Sequence, residues 1–376
     1  MVEVQGKVDA ALEQVRDVFA QRLDSGAELG ASLVVDVEGR TVVDIWGGWC
    51  DTGRRTPWTR DTITNVWSTT KTVTNLAALM LADRGLLDLY APVAKYWPEF
   101  AENGKERVEV RHVLGHTSGV AGWEAPFRLA DMYDRDAATA RLAAQAPWWE
   151  PGTASGYHAQ NQGHLVGELV RRVSGRSLRE FVAAEIAGPL GADFQVGAVE
   201  GDWGRIAPVV PPPPEGGAPE EGSVAFKVFT GPVPDPEAAN TGAWRRAELG
   251  ALNGHGNARS VARILSAVSL GGTVGGVRLL SADGLEAVFD EQSHGVDLVL
   301  GVPLRFGVGY ALPETETVPY VPRGRVCYWG GWGGSLIIMD LESRTTIAYM
   351  MNRMAPGVIG SDRSEAYVRA ALECLS

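Results

Sequence analysis

The sequence has little cysteine, little positive charge and no long apolar run, and each shortage excludes a class of protein. Its three cysteines, Cys50, Cys327 and Cys374, are odd in number and far apart, which argues against a disulfide framework. No apolar run is long enough to span a bilayer, and the charged N-terminal residues lack the apolar core of a signal peptide. We therefore expect a cytoplasmic protein with no membrane partner.

Further absences limit the kinds of partner and of catalytic site that the protein can have. The formal net charge of -12 and an isoelectric point of about 5.1 disfavour contact with a phosphate backbone, so we expect no nucleic-acid partner. The Gly-x-Ser-x-Gly elbow of α/β-hydrolases is missing. His112 and His116 have the spacing of a helical pair of metal ligands, but no third ligand follows at a suitable distance. We expect neither a metal nor an organic cofactor.

Lysine is rare, because arginine supplies most of the positive charge: only five of the 34 basic residues are lysines. Lys71 is the one lysine with a serine three positions before it, in the stretch Ser68-Thr69-Thr70-Lys71. The stretch lies at the predicted start of a helix that ends at Gly85. Since residues three apart on a helix share a face, the hydroxyl and the amine are expected to meet.

This Ser-x-x-Lys pattern suits nucleophilic catalysis. A serine hydroxyl is a weak nucleophile until a base lies against it. Lysine becomes such a base when burial lowers its pKa, and arginine cannot replace it because a guanidinium keeps its proton. The helix N-terminus adds a positive dipole end where an oxyanion would develop. The pattern predicts Ser68 as the nucleophile and Lys71 as its base.

Strand patterns occur at both ends of the chain, and helix patterns fill its middle. We predict a hairpin of residues 31–37 and 41–46 around a turn at 38–40, and C-terminal strands at 325–329, 335–340 and 345–350. We predict helices at 1–23, 137–145, 163–173, 177–186, 260–268 and 364–375. Ser260 is the expected N-cap of its helix.

This layout predicts an α+β fold with two lobes. Residues 1–65 and 295–376 would form an antiparallel sheet flanked by helices. Residues 66–294 would form a mainly helical lobe, with the active site in the cleft between the two. A loop near 207–236 contains four successive prolines, which can join neither a helix nor a strand ladder. This loop is a candidate border of the substrate site.

Ser68-Thr69-Thr70-Lys71 resembles the first motif of class C β-lactamases, DD-peptidases and the bacterial carboxylesterases related to them. Residues 85–93, 113–119 and 151–153 also resemble stretches of that superfamily, and the similarity runs from about residue 30 to residue 352. The chain is thereby identified as a member of the serine β-lactamase-like superfamily. The resemblance implies a β-lactamase/transpeptidase-like fold, closest to the carboxylesterases.

The second motif of that superfamily, Tyr-x-Asn, reads Tyr157-His158-Ala159 in this chain. The resemblance implies that Tyr157 lies beside the nucleophile and shuttles a proton. Ala159 lacks the amide side chain of the usual asparagine, which disfavours recognition of β-lactams and peptides. We expect His158 to line the substrate pocket.

The third motif corresponds to Trp329-Gly330-Gly331. The resemblance implies that Gly330 and Gly331 let the substrate lie against a strand edge. It also implies that the backbone N–H of Trp332 joins that of Ser68 to form the oxyanion hole. Trp329 is expected to form an aromatic, apolar wall of the substrate site where β-lactamases place a cation.

The sequence therefore predicts a serine esterase that cleaves small to medium acyl esters through an acyl-enzyme on Ser68, with a small-molecule ester as its partner. Two alternatives use the same acyl-enzyme: a β-lactamase or DD-peptidase-like amide hydrolase, and an acyltransferase. A third alternative is a catalytically silent binding protein. The presence of Ser68, Lys71 and Tyr157 argues against the silent protein.

Overall fold

The computed structural model describes residues 2–213, 217 and 219–376. The strands are β1 (Val4–Val8), β2 (Gly30–Val37), β3 (Arg40–Gly48), β4 (Thr64–Asn65), β5 (Gln195–Val196), β6 (Gly254–Gly256), β7 (Thr273–Val274), β8 (Val277–Arg278), β9 (Ser293–Val296), β10 (Pro303–Phe306), β11 (Ala311–Leu312), β12 (Val326–Gly330), β13 (Leu336–Asp340) and β14 (Thr345–Met351). The α-helices are α1 (Glu13–Ser25), α2 (Thr70–Asp83), α3 (Val110–Leu114), α4 (Arg135–Ala144), α5 (Gln162–Ser174), α6 (Leu178–Phe181), α7 (Gly188–Leu190), α8 (Val224–Thr230), α9 (Gly242–Arg246), α10 (Ala258–Ser269), α11 (Ala282–Glu286) and α12 (Asp362–Leu375).

Strands from both ends of the chain form one antiparallel sheet of nine strands, in the order β1-β3-β2-β14-β13-β12-β11-β10-β9. Helices cover both faces of this sheet. Thr346 of β14 hydrogen-bonds to Ser269 of α10, whereas Tyr349 of the same strand packs on Tyr367 of α12. Because alternate residues of a strand point to opposite faces, α10 and α12 lie on opposite sides of the sheet. The predicted α+β class is confirmed.

The predicted hairpin is present as β2 and β3. Its turn residues Glu38 and Gly39 have φ values of 52° and 80°, which is the pattern of a type I′ turn. This turn geometry matches the right-handed twist of the two strands. Pairing of β2 with β14 then joins the N-terminal hairpin to the C-terminal strands.

The helix predicted over residues 1–23 is wrong in its first part. Residues Val4–Val8 form the edge strand β1, and α1 begins only at Glu13. Gly6 has a φ of 104°, and a Cβ atom there would collide with the backbone of Asp44 in β3. The close approach of these two strands requires glycine and excludes a helix. The apolar spacing that included Val8 was therefore coincidental.

Two predicted helix boundaries have different outcomes. Gly85 follows the end of α2 with a φ of 71°, as expected for a terminating glycine. The prediction of Ser260 as an N-cap is wrong. The N-cap of α10 is Asn257, whose side chain accepts from the N–H of Ser260, and the Ser260 hydroxyl completes a capping box.

Positions 214–216 and 218 of the proline-rich loop lie outside the described residues. In the described part of the loop, Val224–Thr230 form α8, which the prediction of a continuous loop did not include. Gln160 donates from Nε2 to the carbonyls of Val228 at 3.1 Å and Pro232 at 2.9 Å. These bonds tie the segment around α8 to the chain that carries Tyr157.

The division of the chain into two lobes stays a prediction. Helix α2 packs against α5 and α11, whereas α10, which lies inside the range predicted for the helical lobe, packs on β2, β13 and β14. Among the described residues, no helix combines the length and the apolar composition that crossing a membrane requires.

Candidate active site

Ser68 lies in the turn that leads into α2. The preceding residue, Trp67, has a φ of 51°, an uncommon value for a residue other than glycine. The N–H of Val66 donates to the carbonyl of Gly254 at 2.8 Å, which anchors the turn to β6. Ser68 itself is 4% exposed. The turn thus presents the hydroxyl in a fixed and nearly buried position at the start of the helix.

Lys71 lies one helical turn further on and is 1% exposed. Its Nζ atom is 2.9 Å from Ser68 Oγ, 2.8 Å from the carbonyl oxygen of Ala159 and 3.0 Å from that of Ala251. Within the described part of the chain, no carboxylate forms an ion pair with this amine. Burial without a counter-charge lowers the pKa of Lys71 well below its ordinary value of 10.5.

Tyr157 completes the group and is fully buried. Its ring centroid lies 4.8 Å from Lys71 Nζ, its hydroxyl accepts from Trp329 Nε1 at 3.0 Å, and the Ser68 side chain lies close enough to influence its pKa. Burial raises the pKa of Tyr157 above its usual value of 10, so the phenol keeps its proton at neutral pH. The structure brings Ser68, Lys71 and Tyr157 together as the sequence predicted.

From these contacts we infer a one-way relay of donors that runs from Trp329 through Tyr157 and Ser68 to Lys71. The indole N–H of Trp329 occupies a lone pair of the Tyr157 oxygen, which leaves the Tyr157 O–H free to donate to Ser68 Oγ. A neutral Lys71 donates its two hydrogens to the carbonyls of Ala159 and Ala251. Its lone pair then faces the Ser68 hydroxyl. The network is fully satisfied when both the amine and the phenol are uncharged.

Trp329 differs from its predicted role as an apolar wall. Its side chain is 3% exposed, and its ring packs against Tyr157 and Phe306 with centroids 5.0 Å and 5.4 Å away. The polar edge of the indole serves Tyr157. Sequence reasoning considered only the apolar surface of the indole and missed its N–H donor.

The prediction that His158 lines the substrate pocket is wrong. The residue is fully buried, and both ring nitrogens have protein partners: Nδ1 donates to the carbonyl of Gly156 at 2.7 Å, and Nε2 accepts from the Ser118 hydroxyl at 2.6 Å. Burial lowers the pKa of His158 to about 4. The side chain is therefore a neutral support for the loop that carries Tyr157.

The segment after β12 lies directly against the turn of the nucleophile. The Ser335 hydroxyl donates to the carbonyl of Val66 at 2.9 Å and is 3.0 Å from the Thr69 hydroxyl oxygen. A Cβ atom at Gly331 would lie 2.5 Å from that same Val66 oxygen. Glycine at 331 is therefore required by contact between two protein segments.

Two backbone N–H groups are free at this junction. Among the described residues, neither the N–H of Ser68 nor that of Trp332 donates to a protein carbonyl. The rings of Trp67 and Trp332 pack edge to face at 5.2 Å, which keeps the two segments in contact. Trp332 is half-buried. An oxyanion hole requires free N–H groups of this kind, and the pairing of Ser68 with Trp332 in that role stays a prediction.

Sequence reasoning missed the acceptors that hold Lys71. The carbonyl of Ala251 lies 180 residues from Lys71 in the chain, and a backbone carbonyl carries no residue-type signal. The role of Ser335 was also missed. A serine directly after Gly333-Gly334 was the available signal, because a glycine turn brings the following side chain back toward the preceding strand.

Comparison with known proteins agrees with this geometry. Residues 15–372 match the family model described as Beta-lactamase. The protein named Esterase/beta-lactamase LipL, from Mycobacterium tuberculosis, is 32% identical over 96% of this chain and 85% of the relative. The crystal structure of a family VIII carboxylesterase is 39% identical, with a TM-score of 0.93 over 99% of this chain and 100% of that one.

A penicillin-binding protein homologue from Caulobacter crescentus is also similar, with 35% identity and a TM-score of 0.91 over 99% of this chain and 100% of the homologue. The β-lactamase/transpeptidase-like fold implied by the resemblance is confirmed. From the family model and these full-length relatives, we conclude that the chain belongs to the beta-lactamase family and has the serine-hydrolase fold of its carboxylesterase members.

Proposed function

We propose that this protein is a carboxylesterase that cleaves small to medium acyl esters through a covalent acyl-enzyme on Ser68. The observation that carries the proposal is the buried Lys71 amine, 2.9 Å from Ser68 Oγ and without a carboxylate partner among the described residues. A neutral amine in that position can accept the proton of the hydroxyl. The similarity to a family VIII carboxylesterase supports ester chemistry.

In the acylation step, Ser68 Oγ forms a bond to the ester carbonyl carbon while its proton moves to Lys71 Nζ. The N–H groups of Ser68 and Trp332 stabilise the oxyanion that develops. When the bond from carbon to the alcohol oxygen breaks, Tyr157 gives its proton to the departing alkoxide. Tyr157 regains a proton from Lys71, so the amine is neutral again and the alcohol is released.

In the deacylation step, water replaces the alcohol. As the water oxygen attacks the acyl carbon, the water gives a proton to the neutral Lys71 amine, and Lys71 returns a proton to Ser68 Oγ as the bond from the acyl carbon to Oγ breaks. The free acid is the second product. The reaction consumes one water per ester and returns every group to its starting state, so each step uses groups in the described site.

The site favours esters over amides. An amine leaving group requires protonation before the bond to carbon breaks, whereas an alcohol needs less help. In this chain Ala159 lacks the amide side chain that the asparagine of the second motif would offer to an amide substrate, so we expect amides to be bound less well. Amide hydrolysis is the second candidate function, because the name of the mycobacterial relative includes both esterase and β-lactamase.

The test compares hydrolysis of p-nitrophenyl butyrate with that of a chromogenic cephalosporin by the wild type and by Ser68→Ala. We expect ester hydrolysis by the wild type and a loss of about 10³-fold or more in the variant. Ser177→Ala is a matched control, since Ser177 also begins a helix but only caps α6. Substantial ester turnover by Ser68→Ala, or a preference for the cephalosporin, would refute the proposal.

A further inference from the structure

Asp297 is a fully buried carboxylate in the loop that joins β9 to β10 at one edge of the sheet. One of its oxygens, Oδ1, accepts three backbone hydrogen bonds: from Val299 at 2.9 Å, from Leu300 at 3.0 Å and from Tyr157 at 3.0 Å. The first two bonds close the loop itself. The third reaches across 140 residues of sequence to the segment that carries the phenol.

A second bond joins the same two segments. The N–H of Leu298 donates to the carbonyl of Ser155 at 2.9 Å. Tyr157 lies in the irregular connection between α4 and α5, so no helix or strand fixes its backbone. The β9–β10 loop therefore supplies the backbone contacts that helix or strand geometry would otherwise provide.

Placing the Asp297 carboxylate in this buried contact lowers the stability of the fold. The second oxygen of Asp297, Oδ2, is buried without a hydrogen-bond partner among the described residues, and no described lysine or arginine pairs with the carboxylate. Burying an acid in this way lowers stability. Closing a hairpin loop does not require it, because Asp340 closes the β13–β14 turn with the same two bonds, to Glu342 and Ser343, at a partly exposed position.

We propose that Asp297 is a positioning residue, which sets the place of the Tyr157 phenol relative to Ser68 by accepting the Tyr157 N–H. The proposal rests on the proposed esterase function and extends it. Tyr157 must keep its hydroxyl within hydrogen-bond reach of both Ser68 and the leaving oxygen. A shift of the Tyr157 backbone by a fraction of an ångström would spoil that geometry while leaving Ser68 and Lys71 on α2 unchanged.

Three variants separate the contact to Tyr157 from loop closure. Asp297→Asn keeps an acceptor oxygen at the position of Oδ1. Asp297→Ser shortens the side chain, so that its hydroxyl still serves the loop N–H groups of Val299 and Leu300 but does not reach Tyr157. Asp340→Ala removes the equivalent turn bonds far along the same sheet and serves as the matched control.

The readout is kcat/KM for ethyl butyrate and for p-nitrophenyl butyrate, which form the same acyl-enzyme. Nitrophenolate leaves without a proton, whereas ethoxide needs the proton of Tyr157. For Asp297→Ser we expect a loss of about tenfold or more with the ethyl ester and a much smaller loss with the nitrophenyl ester. Asp297→Asn and Asp340→Ala should remain within about threefold of the wild type on both esters.

Equal losses on the two esters would show a general structural defect and overturn the proposal, as would full activity of Asp297→Ser on the ethyl ester. Circular dichroism confirms that each variant is folded. If Asp297→Ser does not fold, Asp297→Thr, whose hydroxyl is equally short, replaces it with the same expected and contrary results. The Ser68→Ala test remains independent, because it decides whether an acyl-enzyme forms at all.

Discussion

Two of the buried basic side chains, Lys71 and Arg363, lie in opposite electrostatic surroundings. Lys71 is surrounded by neutral oxygens and has no carboxylate partner among the described residues. Arg363, near the start of α12, forms an ion pair with the buried Glu28, in which Nη1 lies 2.7 Å from Oε1. The comparison shows that a buried basic group can be neutral or charged, depending on whether a carboxylate lies beside it.

Glu28, the acidic partner of Arg363, accepts hydrogen bonds from three side chains. Tyr349 and Tyr367 direct their hydroxyls at Glu28 Oε2, while the guanidinium binds Oε1. Burial raises the pKa of Glu28, while the guanidinium and the two phenols act in the opposite direction. Because the guanidinium of Arg363 lies 2.7 Å from the carboxylate and stabilises its charged form, we infer that Glu28 is ionised and that Arg363 keeps its charge.

Arg363 uses its remaining donors on the backbone, at the carbonyls of Arg353 at 2.8 Å and Gly333 at 3.3 Å. Gly333 directly follows Trp332, so the ion pair supports the segment that presents the proposed oxyanion donor. A paired cation thus holds structure in place, whereas an unpaired amine gives up its proton and becomes a base. The following predictions test that contrast, beginning with the largest expected effect.

Lys71→Arg would turn the neutral amine into a permanent cation. We expect kcat/KM for p-nitrophenyl butyrate to fall by about 10³-fold or more, equivalent to about 4 kcal/mol of barrier, because a guanidinium cannot accept the proton of Ser68. Lys105→Arg is the matched control, since Lys105 is also buried and donates to the carbonyls of Glu102 and Gln145. Retention of a tenth of the activity by Lys71→Arg would contradict the assigned role.

Buried neutral groups should also make the fold sensitive to acid. Burial lowers the pKa of His158, His164 and His255 to about 4, from an ordinary value of 6.5. Below pH 6.5 the unfolded chain binds more protons at these histidines than the folded chain, so stability falls as pH falls from 6.5 toward 4.

Urea denaturation at pH 7.5, 6.5, 5.5 and 5.0 measures this effect above the range in which most carboxylates titrate. We expect the free energy of unfolding to be steady above pH 6.5 and to fall by up to about 1.4 kcal/mol per pH unit for each histidine below it. An unfolding free energy independent of pH across this range would contradict the neutral state of these histidines.

Glu28→Gln would leave Arg363 buried without its counter-charge. We expect the free energy of unfolding to fall by about 3 kcal/mol, as is usual when one partner of a buried pair is removed. Glu365→Gln is the control, because Glu365 pairs with Arg369 on the exposed surface of α12 and should change stability by less than about 0.5 kcal/mol. Similar values for the two variants would remove the distinction between the buried and exposed pairs.

Trp329→Phe keeps an aromatic ring but removes the N–H that donates to Tyr157. A neutral hydrogen bond contributes about 1 kcal/mol, so we expect kcat/KM to fall by about fivefold. Trp203→Phe removes a similar indole bond, to the carbonyl of Ala198, outside the site and should leave activity unchanged. An unchanged kcat/KM for Trp329→Phe would show that the indole does not orient the phenol.

Features could be predicted from the sequence where the interacting residues are close in the chain or belong to a recognisable motif. Ser68 and Lys71 lie three residues apart on one helix, so their contact follows from helix geometry. Tyr157 and Trp332 were found by resemblance to a family whose motifs they match. The turn at Glu38 and Gly39 followed from the chemistry of hairpins.

The remaining features depend on contacts between distant segments. The carbonyls that bind Lys71 lie 88 and 180 residues away from it. Asp297 reaches Tyr157 only because the sheet edge and the α4–α5 connection meet. The position of His158 was predicted wrongly, because a histidine suggests a reactive role by its residue type. Only its neighbours in the structure show that both ring nitrogens have hydrogen-bond partners.

The uncharged state of Lys71 can be tested most directly by changing the acidity of its amine. In a Lys71→Cys variant whose natural cysteines, Cys50, Cys327 and Cys374, are replaced by alanine, alkylation of the unfolded chain with 2-bromoethylamine and refolding restore an amine at position 71 that is intrinsically more acidic than lysine. We predict that the acid limb of the pH profile of kcat/KM moves to lower pH in the alkylated enzyme than in the wild type. A limb that does not move, or wild-type activity that rises only near 10.5, the ordinary pKa of lysine, would contradict a neutral Lys71 as the base.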